Sequence, residues 1–221
     1  MDIMEAMQRR HSVRAYTDRK IEGAVKEELE QFIAQCNADG NLHMQLIVNE
    51  PKAFASKLNH YGMFSNVKNY VAIVGKPAPD FDERCGYYGE KVVLKAQQMG
   101  LNTCWVGLTY SKHKAEIELS AGEKVSCVIA IGYGANQGKA HGRSKKLNDV
   151  CKTDGAMPEW FRAGVEAALL APTAVHQQKF SFTLQGDDVI ASAGLGFYSK
   201  VDLGIVKYHF ELGSGRKLWF R

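Results

Sequence analysis

Several signatures that would fix a function at once are missing from this chain of 221 residues. Its 5 cysteines, Cys36, Cys85, Cys104, Cys127 and Cys151, are odd in number, widely scattered and form no Cys-x-x-Cys pair. That pattern argues against a disulfide framework and a structural zinc site, and it favours a reducing, cytoplasmic setting. No window approaches the ~20 apolar residues of a membrane span. Residues 1–10 read as a short amphipathic helix with no apolar core segment, which is not the pattern of a secretory signal. There is no Gly-x-x-x-x-Gly-Lys-Ser/Thr loop and no Gly-x-Gly-x-x-Gly turn, so neither a P-loop nor an ordinary dinucleotide site can be argued. A Gly-x-Ser-x-Gly elbow is absent too. His43, His60, His113, His141, His176 and His209 show no metal-ligand spacing. The net charge of +4 is mild, and the single tight basic cluster, residues 139–146, falls short of a nucleic-acid binder's basic face.

What remains is an ordinary globular composition, 45% hydrophobic and 24% charged, in a chain long enough to bury a full core. Helical spacing of apolar side chains marks residues 23–35 and 85–99, the latter stopped by Gly100. Thr17 and Asp18 read as a cap or turn before the first of these, and residues 36–41 as the turn that leaves it. Residues 44–48, 70–74 and 124–132 read as strands and 101–108 as a loop or short strand. Short helices are expected over residues 52–58 and 112–119, with loop over 61–68. The polar stretch 147–158, with Gly155 and Pro158, is the best boundary candidate, dividing a unit of residues 1–150 from one of 157–221. Beyond it come a helix over 160–170, a hairpin of 179–184 with 189–194, and a last helix over 201–212. A weak internal echo places His176 over His43 and Gln178 over Gln45, as a partial second copy would.

Two polar constellations stand out. Pro172 cannot continue a helix, so the apolar run before it ends near Ala171 and a polar elbow follows. There Thr173, His176, Gln177 and Gln178 bring hydroxyl, imidazole and amide groups together ahead of Phe180 and Phe182, which share one face of a strand. At the other end, Arg9, Arg10, His11, Ser12 and Arg14 set cations and a hydroxyl at a helix exit, a group suited to a phosphate. Arg143 and Lys145 would add two cations if the fold brought them alongside; otherwise each cluster is a solvated basic surface. Gly107, after Trp105, would let another molecule approach the backbone, although a tryptophan there more often belongs to a core. Cys104 reads as a small buried hydrophobe. Glu90 and Asp202 read as carboxylates on the polar faces of helices.

Taken together, Arg9-Arg-His-Ser-Val-Arg14, Gly100-Leu-Asn-Thr-Cys-Trp-Val-Gly107, Ile129-Ala-Ile-Gly-Tyr-Gly134 leading to Arg143 and Lys145, and Ala167-Ala-Leu-Leu-Ala-Pro-Thr-Ala-Val-His-Gln-Gln178 resemble the FMN-dependent nitroreductase superfamily over nearly the whole chain. The resemblance implies an α+β fold, a mixed sheet flanked by helices. In the ordinary family the Ala-Pro-Ser stretch follows soon after the Arg-Ser-x-Arg stretch, whereas here it falls at residues 172–178. The order resembles a subgroup in which one chain imitates the dimer, a complete unit followed by a truncated second one that completes a flavin cleft.

By that resemblance Arg10, His11 and Ser12 fall among the phosphate and ribityl ligands, with Arg143 and Lys145 as further cations. Arg14 matches the basic residue near the pyrimidine edge, where positive charge favours the reduced flavin. Val106, Gly107 and Leu108 match the backbone facing flavin N5. Pro172, Thr173, Ala174, His176 and Gln178 match the loop of the partner subunit. His176 stands where asparagine is usual and Lys179 where proline is usual; Lys68 is the candidate for a family lysine before the second strand. The implied activity is hydride transfer from NAD(P)H through FMN to a small acceptor such as a nitroaromatic or quinone, in a ping-pong cycle needing no metal and no protein acid. Nucleic acid and membrane are not expected partners, and the chain is expected as a monomer acting as a pseudo-dimer or as a homodimer. Sister flavin activities (dehalogenation, enoate reduction, flavin destruction), flavin binding without turnover, and a cofactor-free interaction module are the alternatives.

Overall fold

The computed structural model describes residues 1–55, 63–140, 142–218 and 220. The chain divides into two compact units, residues 1–81 with 91–140 and residues 82–90 with 141–221. The polar stretch of residues 147–158 carries a helical turn and a short strand. No helix among the described residues is long and apolar enough to cross a membrane.

The first unit begins with α1 (Ile3–Arg9), whose start is capped by Asp2 accepting a hydrogen bond from the Glu5 amide at 2.8 Å. A longer helix, α2 (Gly23–Gly40), follows. It runs through residues 36–40, where a turn was expected, because the break is deferred to Asn41 in the left-handed region at φ 46°. Asn37 then fastens the exit, donating to the Met44 carbonyl and accepting from the Met44 amide. Thr17 and Asp18 do not cap α2; Thr17 is tied to the Tyr133 carbonyl and Asp18 to Lys68 and Asn66.

Four strands form the unit's sheet: β1 (Gln45–Ile47), β2 (Tyr70–Gly75), β3 (Asn102–Val106) and β4 (Lys124–Gly132). The order is β1-β2-β4-β3 with every neighbour antiparallel. β2 is buried at every position, as its unbroken apolar run requires of a central strand. Alternation sends Tyr70, Ala72 and Val74 to one face with Val128 and Ala130 of β4 and Val106 of β3, where they form a core with Val13, Tyr16 and Phe54. Val71, Ile73, Ile129 and Ile131 point the other way and are also buried.

Helix α3 (Phe81–Gln98) is longer than its periodic stretch and gives way to Gly100 at φ 79°. Residues 52–54 make one turn of 3-10 helix that Ala55 caps; residues 56–58 of that expected helix, and His60, lie outside the described residues. The expected helix over 112–119 is not formed. Ser111 closes one turn with the amides of Lys114 and Ala115. After that the backbone is committed elsewhere: the Glu116 amide donates to the Tyr70 hydroxyl, and the Glu118 amide and carbonyl bond the Gln45 side chain.

In the second unit, α4 (Leu147–Val150) leads directly into β5 (Cys151–Thr153), which pairs in parallel with β6 (Phe180–Gln185). β6 pairs antiparallel with β7 (Asp188–Ala193) across a turn at Gly186 and Asp187. Phe180, Phe182 and Leu184 alternate inward. Two helices, α5 (Glu159–Leu169) and α6 (Ser199–Ser214), pack together, with Phe182 and Phe210 stacked at 4.7 Å and Phe161 edge-on to Phe210. As Pro172 demands, α5 stops just before it. Residues 82–90 of α3 meet α6 at glycines. A Cβ on Gly86 would run into the Val201 carbonyl, and one on Gly204 into the Glu83 carbonyl.

That crossing buries polar groups the sequence had suggested for solvent. Glu90 and Asp202 are both in the interior. His209 Nε2 lies 2.9 Å from Glu90 Oε1, and Lys207 pairs with Glu83. The physical reason is that α6 has no polar face over residues 201–207: buried positions there are contiguous, so whatever stands among them is buried. An α+β fold with helices against its sheets is thus met, the larger sheet antiparallel and the smaller one mixed.

Candidate functional site

In the first unit the chain leaves α1 at Arg10 in extended conformation (ψ 122°) and crosses the sheet as a strap. Ser12 pairs in parallel with Thr103 of β3, the Val13 amide donates to the Thr103 carbonyl at 3.0 Å, and Tyr16 pairs with Gly134. Arg14 is bonded through its carbonyl to the Ser65 amide at 2.9 Å. Val13 and Tyr16 enter the core, the Tyr16 hydroxyl donating to the Val13 carbonyl at 2.7 Å, while Ser12 is half-buried and Arg14 exposed. Arg10, 8% exposed, is held inside the protein surface.

The strap brings Arg10, Ser12 and Arg14 to β3. Burial raises the Cys104 thiol's pKa, and Arg14, the Ser12 hydroxyl and Arg10 oppose that rise. That strand ends at Val106 and is followed by Gly107 and Leu108. Cys104 is buried, as its reading as a small hydrophobe requires, while Trp105 is half-buried rather than core. Leu108 is 67% exposed. Burial first, then the Arg10 charge, lowers the affinity of His11 for a proton. Its Cβ lies where a side chain on Gly138 would have to go, and Gly138 is itself left-handed at φ 68°. Lys68 is paired with Asp18 at 2.6 Å.

The second unit holds the other expected residues in two strands of loop tied to each other. Gln178, 1% exposed, uses its whole side chain for this. Its oxygen accepts from the Lys145 amide at 2.7 Å, and its nitrogen donates to Ser144 Oγ at 2.8 Å and to the Leu169 carbonyl at 3.1 Å. Lys145 Nζ returns a bond to the Gln178 carbonyl at 2.8 Å, and the Gln178 amide donates to Thr173 Oγ1 at 3.0 Å. His176 Nε2 meets the Arg143 carbonyl at 2.6 Å, so that nitrogen carries the proton. Arg143 and Lys145 are exposed, and His141 beside them lies outside the described residues. Residues 174–176 form a 3-10 turn that does not keep helical angles, since Val175 sits at φ 46°.

Reading the sequence missed Ser144 and took Asp202 for a solvent-facing carboxylate. Ser144 and Gln177 anchor the elbow through side chains, and Asp202 accepts from the Ala174 amide at 2.9 Å and from Gln177 Nε2 at 2.7 Å. For Asp202 a signal existed: an acidic residue inside Val201-Asp-Leu-Gly-Ile-Val206, a helical run without a polar face, has to find donors in the interior.

The chain thus carries an arginine-bearing strap along one sheet and a polar elbow after Pro172 ahead of a second. The profile of the family described as "Putative TM nitroreductase" matches residues 2–214, and the chain belongs to that family. Among solved structures it is similar to the putative nitroreductase of Thermotoga maritima MSB8, with 22% identity and a TM-score of 0.69 over 96% of this chain and 83% of that one. It is also similar to a putative NADH dehydrogenase/NAD(P)H nitroreductase of Parabacteroides distasonis, with 19% identity and a TM-score of 0.54 over 70% of this chain and 98% of that one. A third is the FMN-dependent nitroreductase of Clostridium difficile R20291, with 19% identity and a TM-score of 0.50 over 62% of this chain and 91% of that one. At these identities the likenesses show the fold. A search of curated proteins finds no match.

Proposed function

We propose that this protein is an FMN-dependent NAD(P)H oxidoreductase that passes hydride to a small electron acceptor such as a nitroaromatic or a quinone, in a ping-pong cycle. The observation that carries the reading is the strap: Ser12 bridges Thr103 of β3 and the Val13 amide donates to the Thr103 carbonyl, which sets residues 10–14 alongside the strand that runs out into Val106, Gly107 and Leu108. The donor set suits a phosphate-bearing cofactor. Guanidinium groups and a hydroxyl supply charge-assisted bonds to an anion.

FMN, when bound, supplies hydride acceptance and donation at its N5. The chain's own residues then do the following. Arg10 and Ser12, with His11 beside them, hold phosphate and ribityl oxygens, and Arg143 and Lys145 add positive charge. Arg14 places a cation where negative charge grows as the ring is reduced. The backbone of Val106, Gly107 and Leu108 lines the ring. Pro172, Thr173, Ala174 and His176 form the elbow's contribution, with Gln178 fixing the elbow and the Arg143–Lys145 loop in place through its buried amide. Protons for the reduced acceptor come from water.

The same reading makes residues 1–150 a nitroreductase-like core and 157–221 a truncated second unit that stands in for a partner subunit, in a cytoplasmic protein. The purified protein's visible spectrum tests it. The expected result is a yellow protein whose absorbance is bleached by NADPH or NADH and restored by a quinone or nitroaromatic. Bound FMN that neither nicotinamide bleaches eliminates the reductase and leaves a flavin-binding protein. A chain still colourless after incubation with FMN eliminates the flavin.

A further inference from the structure

The elbow at residues 172–178 is held in a conformation its own residues do not favour. Val175, His176 and Gln178 have φ of 46°, 55° and 44°. For a β-branched residue such as Val175 the left-handed region is sterically poor. Nor does packing of its side chain compensate, since Val175 is 79% exposed. Something outside the turn therefore sets it.

We infer that Asp202 is the positioning residue of this elbow, its carboxylate fixing the left-handed turn that presents Thr173, Ala174 and His176 to the flavin. The inference rests on the flavin reading above for what the elbow faces, but not for the clamp itself. Both carboxylate oxygens are used: Oδ1 accepts from the Ala174 amide and Oδ2 from Gln177 Nε2, at 2.9 and 2.7 Å. Gln177 Nε2 also donates to the Phe197 carbonyl at 3.0 Å, so the amide's orientation is fixed from two sides. Asp202 in turn is seated by its own amide, which donates to the Tyr198 carbonyl at 2.8 Å. The result is a rigid path from the first turn of α6 to the elbow.

This arrangement runs against the stability of the fold. Asp202 is 2% exposed, and burial pushes its pKa up to about 6, outweighing the bonds from Gln177 and Ala174. The charged and titratable groups on the elements packed around it are Glu83, Arg84 and Glu90 on α3, Glu166 on α5, His176 in the turn, and Lys200 and Lys207 on α6. A carboxyl whose folded pKa lies above its usual value makes the folded state most stable at low pH, and that contribution is lost as pH rises from about 4 through about 6. The clamp has the opposite dependence. Protonation turns one oxygen into a donor, and both facing groups are donors, so the elbow is fully held only above pH 6.

The experiment compares wild type with Asp202→Asn, and with Gln177→Leu as a second variant that keeps the carboxylate. Amide hydrogen exchange of residues 173–178 in the flavin-free protein, FMN and riboflavin titrations by flavin fluorescence from pH 5 to 8, and urea midpoints at pH 7 are measured. In Asp202→Asn the elbow amides exchange on the order of tenfold faster or more, as loss of a charged hydrogen bond implies. FMN affinity falls by a similar factor, and the urea midpoint stays equal to or above wild type. FMN affinity drops more steeply in wild type than in the variant as pH falls below about 6, and riboflavin, which lacks the phosphate that itself titrates at about pH 6, loses affinity at low pH with wild type only. Unchanged exchange in both variants overturns the inference whether or not FMN binds. So does a lowered urea midpoint in Asp202→Asn with unchanged FMN affinity. Wild type that fails to bind FMN at any pH, with exchange still accelerated in the variants, overturns the flavin reading and leaves Asp202 as the clamp of the elbow.

Discussion

Gly204 of α6 lies against the Glu83 carbonyl of α3 with no room for even a methyl group between them. Gly86 stands in the same relation to Val201, so the two helix backbones approach as closely as backbones can. Gly204→Ala is therefore expected to destabilise the fold by about 1–3 kcal/mol through overpacking, more than its helix propensity would return. Gly86→Ala should cost a similar amount. Because both substitutions push the same helices apart, the double variant should lose less than the sum. Urea denaturation of the two single variants and the double variant checks this; strict additivity would mean that the crossing is not shared.

Beside that crossing, His209 and Glu90 form a pair with no solvent exposure. His209 Nδ1 faces the Ala167 carbonyl at 3.2 Å, so a proton sits there and another lies between Nε2 and Glu90. Removing one member strands a buried polar group. His209→Leu or Glu90→Leu alone should cost about 3–5 kcal/mol, and the double substitution less than either. A double-mutant cycle by denaturant unfolding measures the coupling. Single variants of wild-type stability would show that the pair contributes nothing to holding α3 and α6 together.

Those same pairs mark where reading the sequence stops. Local patterns placed β2 from an unbroken apolar run, the end of α5 from Pro172, and the β6–β7 hairpin from alternation on either side of Gly186, because each is decided by near neighbours. The expected helix over 112–119 failed because Gln45 and Tyr70, distant in sequence, take the backbone bonds a helix would use. Glu90 and Asp202 were read as solvent-facing because period alone does not say what covers a helix. In the candidate site, the motif residues were legible as a set. What was not legible is that the Gln178 amide is spent on Lys145, Ser144 and Leu169, a fact that depends on partners up to 34 residues away.

Tyr70 is the hub through which the 116–118 segment is held. Its hydroxyl donates to Glu50 Oε2 at 3.0 Å and accepts from the Glu116 amide at 3.0 Å. Burial, then the Glu50 carboxylate, raises its pKa far above the usual phenol value, so it stays a donor at every working pH. Tyr70→Phe removes the donor to a carboxylate and the acceptor of a backbone amide while leaving the ring in the core. The expected cost is about 1.5–3 kcal/mol. Hydrogen exchange should show the Glu116 and Glu118 amides losing protection together, because Gln45 no longer has a fixed segment to bind. Loss of stability without that local change would mean the hydroxyl serves only Glu50, whose carboxylate also accepts from the Lys52 and Ala53 amides.

Arg10 and Arg14 separate two contributions to cofactor binding. Arg10 sits almost buried where the chain leaves α1, while Arg14 is exposed on the strap with its guanidinium carbon 6.0 Å from the centre of the Phe64 ring. If Arg10 bonds a phosphate, Arg10→Ala weakens FMN binding by about 1.5–3 kcal/mol, on the order of tenfold to a hundredfold in Kd. Riboflavin, which lacks the phosphate, should bind the variant and the wild type alike. Arg14→Ala should act on the ring instead: FMN and riboflavin lose affinity equally, and reduction by NADPH slows because the developing negative charge has lost its cation. Fluorescence titration with both flavins, followed by stopped-flow bleaching, distinguishes the two residues. Equal losses for FMN and riboflavin in Arg10→Ala would remove it from the phosphate site and place the anion with other cations of the chain.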